Sequence, residues 1–352
     1  MEYDVLFFEA LGEEKHHLAE VLANSQAAGK LPKTLRWYIG TETLHEFTTN
    51  NPGIPLPDIL STKTHSRLPE SWLHSGSKKS VISRSAGYDH FEHLAQQANI
   101  TSLREYCVNA VAETAVKLMF AVCGNLNQYT HNTAVFERDK CISFKELTGL
   151  KAAVFGVGRI GKRIYDMLAG LGLDVRGVDM RAQELSQEYG GSVRFVSPQE
   201  ATDSHIVICA MNYTKEPSSR FYNKNYFTEA YLRQFPQGFV FVNVTRGEIA
   251  PEAPLLALYR EGRLFGIGLD VFGGEAGVTQ VLRGAKEPQS ADEAAAVAII
   301  RSALDRSENF YVQAHQGFNS DKAALCKAEE TVRHLEHYYA HGCFASQLPY
   351  YL

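Results

Sequence analysis

Short apolar runs of strand length recur along the chain at residues 3–8, 150–155, Asp174–Val178, 205–210, 239–244 and Leu264–Leu269. Between them lie stretches whose apolar residues repeat every three or four positions. Residues 13–28 form one such stretch. Residues 110–129 form another, with Val111, Ala115, Leu118 and Val122 on one face, and a third follows Gly161, with Ile164, Met167, Leu168 and Leu171. Strands alternating with helices predict an α/β architecture of mostly parallel sheet covered by helices on both faces. Residues 51–57 carry three prolines and read as a loop, and residues 81–83 are a short strand that runs into Arg84-Ser85-Ala86-Gly87. The acidic, Ala-rich stretch 290–303 reads as a solvated helix. A last amphipathic helix at 322–339 is expected to pack back on the N-terminal unit and make that domain discontinuous.

At 352 residues the chain exceeds what one hydrophobic core serves, so two domains are expected. A formal net charge of −5 argues against nucleic-acid or membrane-surface partners. The six cysteines, Cys107, Cys123, Cys141, Cys209, Cys326 and Cys343, show no CxxC spacing, which speaks against a structural metal site and a disulfide framework. The start carries Glu2, Asp4 and Glu9 and no basic segment, unlike a secretory signal, and no apolar run approaches the roughly 20 residues that cross a bilayer. A reducing, cytoplasmic setting is the expectation.

The strongest local signal is Gly156-Val157-Gly158-Arg159-Ile160-Gly161. A GxGxxG string alone could be a plain glycine-rich turn, but here a strand precedes it and a helix follows. Gly156 permits the tight turn, Gly158 admits a pyrophosphate to the backbone, and Gly161 lets helix and strand approach. The helix N-terminus, opened by Arg159 and Ile160, offers N–H groups and a positive dipole end to phosphates. Asp179 stands 18 residues past Gly161, where an acid can accept hydrogen bonds from an adenosine ribose and repel a 2′-phosphate. NAD is therefore the expected cofactor, with Arg181 near enough to blunt the preference over NADP.

Reducing a 2-oxo acid requires a group that holds the carboxylate and one that protonates the developing alkoxide. Arginine suits the first task by its planar, always charged fork. Histidine suits the second because its ordinary pKa lies near neutrality, and a neighbouring carboxylate orients the ring and favours its protonated form. Three strand ends supply this set: Arg246 after 239–244, Asp270 and Glu275 after Leu264–Leu269, and His315 after 310–314. Singly, each is an ordinary charged residue at a strand end. In this order, downstream of the glycine loop, they describe a site at the carboxyl edge of a doubly wound sheet.

These marks, together with Ser83-Arg84-Ser85-Ala86-Gly87-Tyr88-Asp89-His90, Tyr106, Asn109-Ala110-Val111-Ala112-Glu113 and Thr245-Arg246-Gly247, resemble the D-isomer-specific 2-hydroxyacid dehydrogenases. The pattern is nearest to the D-lactate, D-hydroxyisocaproate and vancomycin-resistance dehydrogenases. The resemblance implies a Rossmann-like cofactor domain at 109–315, dimerising with its copy, and a flavodoxin-like substrate domain formed by 1–108 with 316–352. It implies that Arg246 binds the carboxylate and carbonyl of a small 2-oxo or 2-hydroxy acid, that His315 is the acid/base, and that Glu275 pairs with it. Thr245 and Asp270 would face the cofactor, backbone N–H groups of Ala86 and Gly87 would hold the carboxylate, and Tyr106 would line the pocket.

Three departures from the pattern stand out: Ala314 where a proline usually precedes the histidine, Asn212 after the fourth cofactor-domain strand, and Ala250-Pro251 in place of Val-Asp. Lys63 and His65 read as a solvated loop, with a cleft-facing alternative that would favour an acidic or phosphorylated substrate. Two other functions are compatible with the fold. One is an NAD(H)-binding interaction or sensor protein, which need not keep the acid/base pair. The other is a formate-type dehydrogenase, whose resembling members lack the glutamate.

Overall fold

The computed structural model describes residues 2–136, 138 and 142–350. The chain divides into two compact units, one built by the segment up to Cys107 together with that from Asn319 onward, the other by Val108–Phe318.

Unit 1 contains β1 (Val5–Phe7), α1 (Glu13–Ala27), β2 (Trp37–Ile39), α2 (Leu44–Asn50), β3 (Ile59–Thr62), α3 (Glu70–Leu73), β4 (Ser80–Ser83) and β5 (Asn99–Ser102). The strands form one parallel sheet in the order β2-β1-β3-β4-β5. β1, β3 and β4 are buried at every position, because helices cover both faces of a parallel sheet. α2 opens on a capping box in which Thr43 and Glu46 satisfy each other's backbone N–H.

Unit 2 contains α4 (Val108–Cys123), α5 (Leu126–Asn132), β6 (Lys151–Phe155), α6 (Arg159–Gly170), β7 (Asp174–Val178), α7 (Ala182–Glu188) and β8 (Ile206–Cys209). It continues with α8 (Glu229–Leu232), β9 (Phe239–Asn243), α9 (Glu252–Arg260), β10 (Leu264–Leu269), α10 (Glu275–Leu282), α11 (Ala291–Leu304) and β11 (Phe310–Val312). Its six parallel strands run β11-β10-β9-β8-β6-β7, and Phe195 adds a single bridge outside β7. The strand order reverses between β6 and β8, the place where doubly wound sheets open a crevice for a ligand. The core beneath is aromatic, with Phe155, Phe227, Phe235, Phe239 and Phe241 all fully buried or nearly so.

Two sequence expectations are corrected. The helix expected at 110–129 is two helices, α4 and α5, because Gly124 and the left-handed Asn125 (φ +47°) interrupt it. The stretch 290–303 is not a solvated helix: α11 buries Ala295, Ala296, Val297 and Ile299 in the unit 2 core and leaves Ala291, Ala294, Arg301 and Leu304 exposed. Small alanines hid an apolar face behind a polar composition. After β11 the chain returns to unit 1, where α12 (Ala323–His341) packs along α1 and buries Ala328, Val332 and Leu335 beside Leu18 and Leu22.

Candidate active site

β9, β10 and β11 are consecutive neighbours in unit 2, and polar groups at or just beyond their carboxyl ends build one site. The end of β9 is Asn243, fully buried after four apolar residues. Its Oδ1 accepts from the N–H and the hydroxyl of Thr245, both at 3.1 Å, and its Nδ2 donates to the Arg246 carbonyl at 2.9 Å. This shapes the turn that presents Arg246. A Cβ at Gly247 would lie 1.9 Å from the Gly273 nitrogen, so the turn can rest on the backbone after β10 only with a glycine there. Thr245 Oγ1 also lies 3.5 Å from Cys209 Sγ at the end of β8.

Asp270, 2% exposed, organises the segment that carries the histidine. Its carbonyl accepts from the His315 N–H at 2.7 Å. Its carboxylate accepts from the N–H groups of Gln316 and Gly317, both at 2.9 Å, and from Gln313 Nε2 at 3.2 Å. Gly317 is a glycine by necessity, since a Cβ there would stand 2.6 Å from Asp270 Oδ2. These bonds hold His315 at φ +53°, a left-handed conformation that side-chain-bearing residues adopt only when their surroundings impose it.

The strained backbone aims the ring between two partners. Nδ1 lies 2.9 and 3.1 Å from the two Glu275 oxygens, and Nε2 lies 3.5 Å from Arg246 Nη1. Arg246 Nη1 also donates to the Thr245 carbonyl at 2.9 Å. Arg246, Glu275 and His315, expected from three separate segments, thus meet at one point.

Sequence reasoning passed over Glu252, the first residue of α9. Its Oε1 accepts from the Gly273 N–H at 2.7 Å, while Glu248 accepts from Gly274, so two carboxylates tie down the segment leading to Glu275. Burial pushes the Glu252 pKa up to about 7, against the Gly273 hydrogen bond. A single glutamate in a helical stretch carries no sequence signal of burial. Asn243 did carry one, as a polar residue closing an apolar strand.

The glycine loop joins β6 to α6 at the switch point. Gly156 sits at φ +83°, and a Cβ on it would approach the Met211 backbone to 2.5 Å. A Cβ on Gly161 would strike the Gly156 carbonyl at 1.8 Å, whereas one on Gly158 would point into open space. The N-cap of α6 is Gly158, which brings no side chain to the start of the helix at Arg159 and Ile160. Asp179, after β7, accepts from the Val157 and Arg181 N–H groups, both at 2.8 Å, and each of its oxygens keeps further acceptor capacity. A narrow loop, a helix that starts at a glycine and an acid at the neighbouring strand end fit a dinucleotide.

Ala86, Gly87 and Tyr106 lie in unit 1, after β4 and β5. The Ser85 hydroxyl donates to the Gly87 carbonyl at 2.7 Å, and the Tyr106 N–H donates to Glu330 at 2.7 Å. Burial, first of all, raises the Tyr106 pKa well above 10. Lys63 does not stand in a solvated loop: its side chain is 19% exposed and its ammonium lies 2.5 Å from Glu14.

Five described cysteines carry free thiols, and Cys141 lies outside the described residues. Burial pushes Cys209 and Cys107 up to about 11 and Cys123 up to about 12, which keeps them protonated and unreactive at neutral pH. Among the described residues no helix is long and apolar enough to cross a membrane, and no cluster of His, Cys, Asp or Glu could hold a metal ion.

Residues 116–317, nearly the whole of unit 2, match the family described as D-isomer specific 2-hydroxyacid dehydrogenase, NAD binding domain. The chain belongs to that family, and unit 2 is its NAD-binding domain. Over 209 residues it is 23% identical to a glycerate dehydrogenase of Hyphomicrobium methylovorum, covering 57% of this chain and 64% of that one. Over 209 residues it is 25% identical to a D-lactate dehydrogenase of Escherichia coli, covering 56% of this chain and 59% of the other. The chain thus spans about six tenths of the length of these relatives. In fold it is similar to the D-lactate dehydrogenase of Aquifex aeolicus solved with NAD and lactic acid, with a TM-score of 0.76 at 22% identity over 97% of this chain and 98% of that one.

Proposed function

We propose that the protein is an NAD-dependent oxidoreductase that interconverts a 2-oxo acid and the matching D-2-hydroxy acid. The observation that carries this reading is the juxtaposition of His315 Nε2 and Arg246 Nη1 at 3.5 Å, with Glu275 on the far side of the ring. Two donors at that separation can share one oxygen acceptor, which is what a substrate carbonyl requires. With Nδ1 engaged by Glu275, Nε2 is the nitrogen left to exchange a proton. When bound, NADH supplies the hydride that reduces the carbonyl carbon. Arg246 takes the carboxylate and polarises the carbonyl, and His315 holds the proton that the carbonyl oxygen takes as it becomes a hydroxyl. In the reverse direction Nε2 removes that proton.

Asp179 supports a preference for NAD over NADP, and Ala86, Gly87 and Tyr106 are the unit 1 groups we assign to the substrate. Exposed Phe120, Val135, Phe136, Ile142 and Phe144 give unit 2 an apolar surface suited to a second copy of the chain, which supports a homodimer. The free thiols suit the cytoplasm. Incubating the protein with NADH and a panel of 2-oxo acids, while following absorbance loss at about 340 nm, tests the reading. Turnover of at least one 2-oxo acid to a D-hydroxy acid is expected. Tight NADH binding without any turnover would favour a sensor instead.

A further inference from the structure

Between β10 and α10 the chain passes through Gly273 and Gly274, the two residues that decide where Glu275 begins the helix. Glycine leaves the backbone more freedom than any other residue, and Gly274 uses it, at φ +62°. Gly274 is also the N-cap of α10 and brings no side chain to the helix start. The placement of Glu275 is therefore set by what grips these two glycines. Both grips come from the segment after β9. Gly247, next to Arg246, packs so closely that a Cβ there would overlap the Gly273 nitrogen and the Phe272 carbonyl carbon. Glu252 makes the other contact. Its Oε1 accepts from the Gly273 N–H at 2.7 Å, and a Cβ on Gly273 would stand 3.2 Å from its Oε2. One hydrogen bond thus joins the segment that carries Arg246 to the segment that carries Glu275.

A carboxyl group is a costly way to make that bond. Glu252 is 1% exposed, and its Oε2 has no hydrogen-bond partner among the described residues. The charged groups that face it are two acids, Asp292 in the first turn of α11 and Glu248 in the turn Gly247–Ile249. Asp292 accepts from the Ala253 N–H at 3.0 Å, and Glu248 accepts from the Gly274 N–H at 3.3 Å. Burying a carboxyl group in such company destabilises the fold. Costs of this kind are carried where a functional geometry has to be held. Here the geometry held is the start of α10, from which Glu275 reaches His315 Nδ1 at 2.9 Å.

We propose that Glu252 is a positioning residue for the acid/base pair: through the Gly273 N–H it fixes the two-glycine link and holds Glu275 against the His315 ring. It acts through Glu275 and not on the substrate. The kinetic consequence rests on the proposed redox activity, but the effect on the His315 ring does not.

The test compares Glu252→Leu, Glu252→Asn and Glu252→Gln with Glu275→Gln in the full chain, with NADH affinity as the check that unit 2 is folded. Leucine removes the acceptor, asparagine withdraws it by one bond, and glutamine keeps it. The first readout is the pair of ring-nitrogen NMR shifts of His315, identified by their loss in His315→Ala. Leucine and asparagine should move these shifts toward their Glu275→Gln values, and glutamine should leave them near wild type. The second readout is kcat/KM for a 2-oxo acid. Leucine and asparagine should lower it by on the order of 10–100-fold, the scale of a displaced catalytic group, and glutamine should restore most of the loss. Adding Glu252→Leu to Glu275→Gln should cost no more than about twofold beyond Glu275→Gln alone, because both act through one contact. If the leucine variant does not fold, asparagine carries both comparisons. Ring shifts that stay at their wild-type values in the folded variants overturn the proposal, and so does a double-variant loss equal to the product of the single losses. Absence of all turnover in the wild type counts against the redox reading alone, because the ring shifts still decide the positioning.

Discussion

Replacing Glu252 by glutamine should stabilise the protein, increasingly so as pH rises from about 4.5 to about 7. Glu252 is 1% exposed, and its Oε2 is buried without a hydrogen-bond partner among the described residues. Burial, and after it the facing Asp292 and Glu248 carboxylates, moves its pKa from 4.5 to about 7 against the hydrogen bond from Gly273. At about 1.4 kcal/mol per pKa unit, the displacement corresponds to on the order of 3 kcal/mol. Because the folded pKa lies above the unfolded one, the associated stability is fully present below about pH 4.5 and is lost as pH rises through about 7. Glutamine is neutral throughout and keeps an oxygen for the Gly273 N–H. The variant should therefore lie within about 1 kcal/mol of wild type near pH 5 and exceed it by roughly 3 kcal/mol from about pH 7 upward, a rise in Tm of roughly 6–12 °C for a domain of this size. Both tryptophans, Trp37 and Trp72, lie in unit 1, so their fluorescence reports the other unit. Differential scanning calorimetry across pH 5–8 follows the unit 2 transition directly. A wild-type-to-variant difference that does not change with pH would refute the reasoning.

Three further outcomes follow from unit 2. Gly158→Leu should fold, since its Cβ points into open space, yet lose NADH binding in a fluorescence titration, because the side chain fills the space for the pyrophosphate. Asp179→Ala should narrow the gap between NADH and NADPH affinities. It should also weaken the loop it holds through the Val157 N–H, and a wild-type protein that already prefers NADPH would contradict the assignment. Arg246→Lys keeps the charge but loses the fork and the fixed distance to His315, so kcat should fall and KM rise together; unchanged kinetics would mean the substrate binds elsewhere.

The parts of this architecture that could be read from the chain are those whose cause is local. The glycine loop is written in six residues because Gly156 and Gly161 each answer a backbone clash that the fold makes visible, while Gly158 keeps open the space expected for a pyrophosphate. β8 and β9 are continuous apolar runs because helices cover both faces of the sheet. Arg246, Glu275 and His315 were found at strand ends because adjacent parallel strands bring their carboxyl ends together.

What escaped depends on partners distant in sequence. β2 is only three residues long and β5 is largely polar, and they are strands only because β1 and β4 are beside them. Asp270 showed as a site residue, but its grip on residues 315–317 depends on a left-handed backbone that no pattern announces. Lys63 resembled a solvated loop residue because Glu14 lies far away along the chain.

The central claim is that His315, aimed by Asp270 and Glu275 beside Arg246, holds the proton of the reduction. The direct test is kcat/KM for a 2-oxo acid, at saturating NADH, in His315→Ala against wild type, with NADH affinity measured alongside. The loss should be on the order of 10²–10⁴-fold, the usual worth of a positioned acid/base, while NADH affinity is retained. Glu275→Gln should fall between the two. A His315→Ala enzyme within a few-fold of wild type would contradict the account.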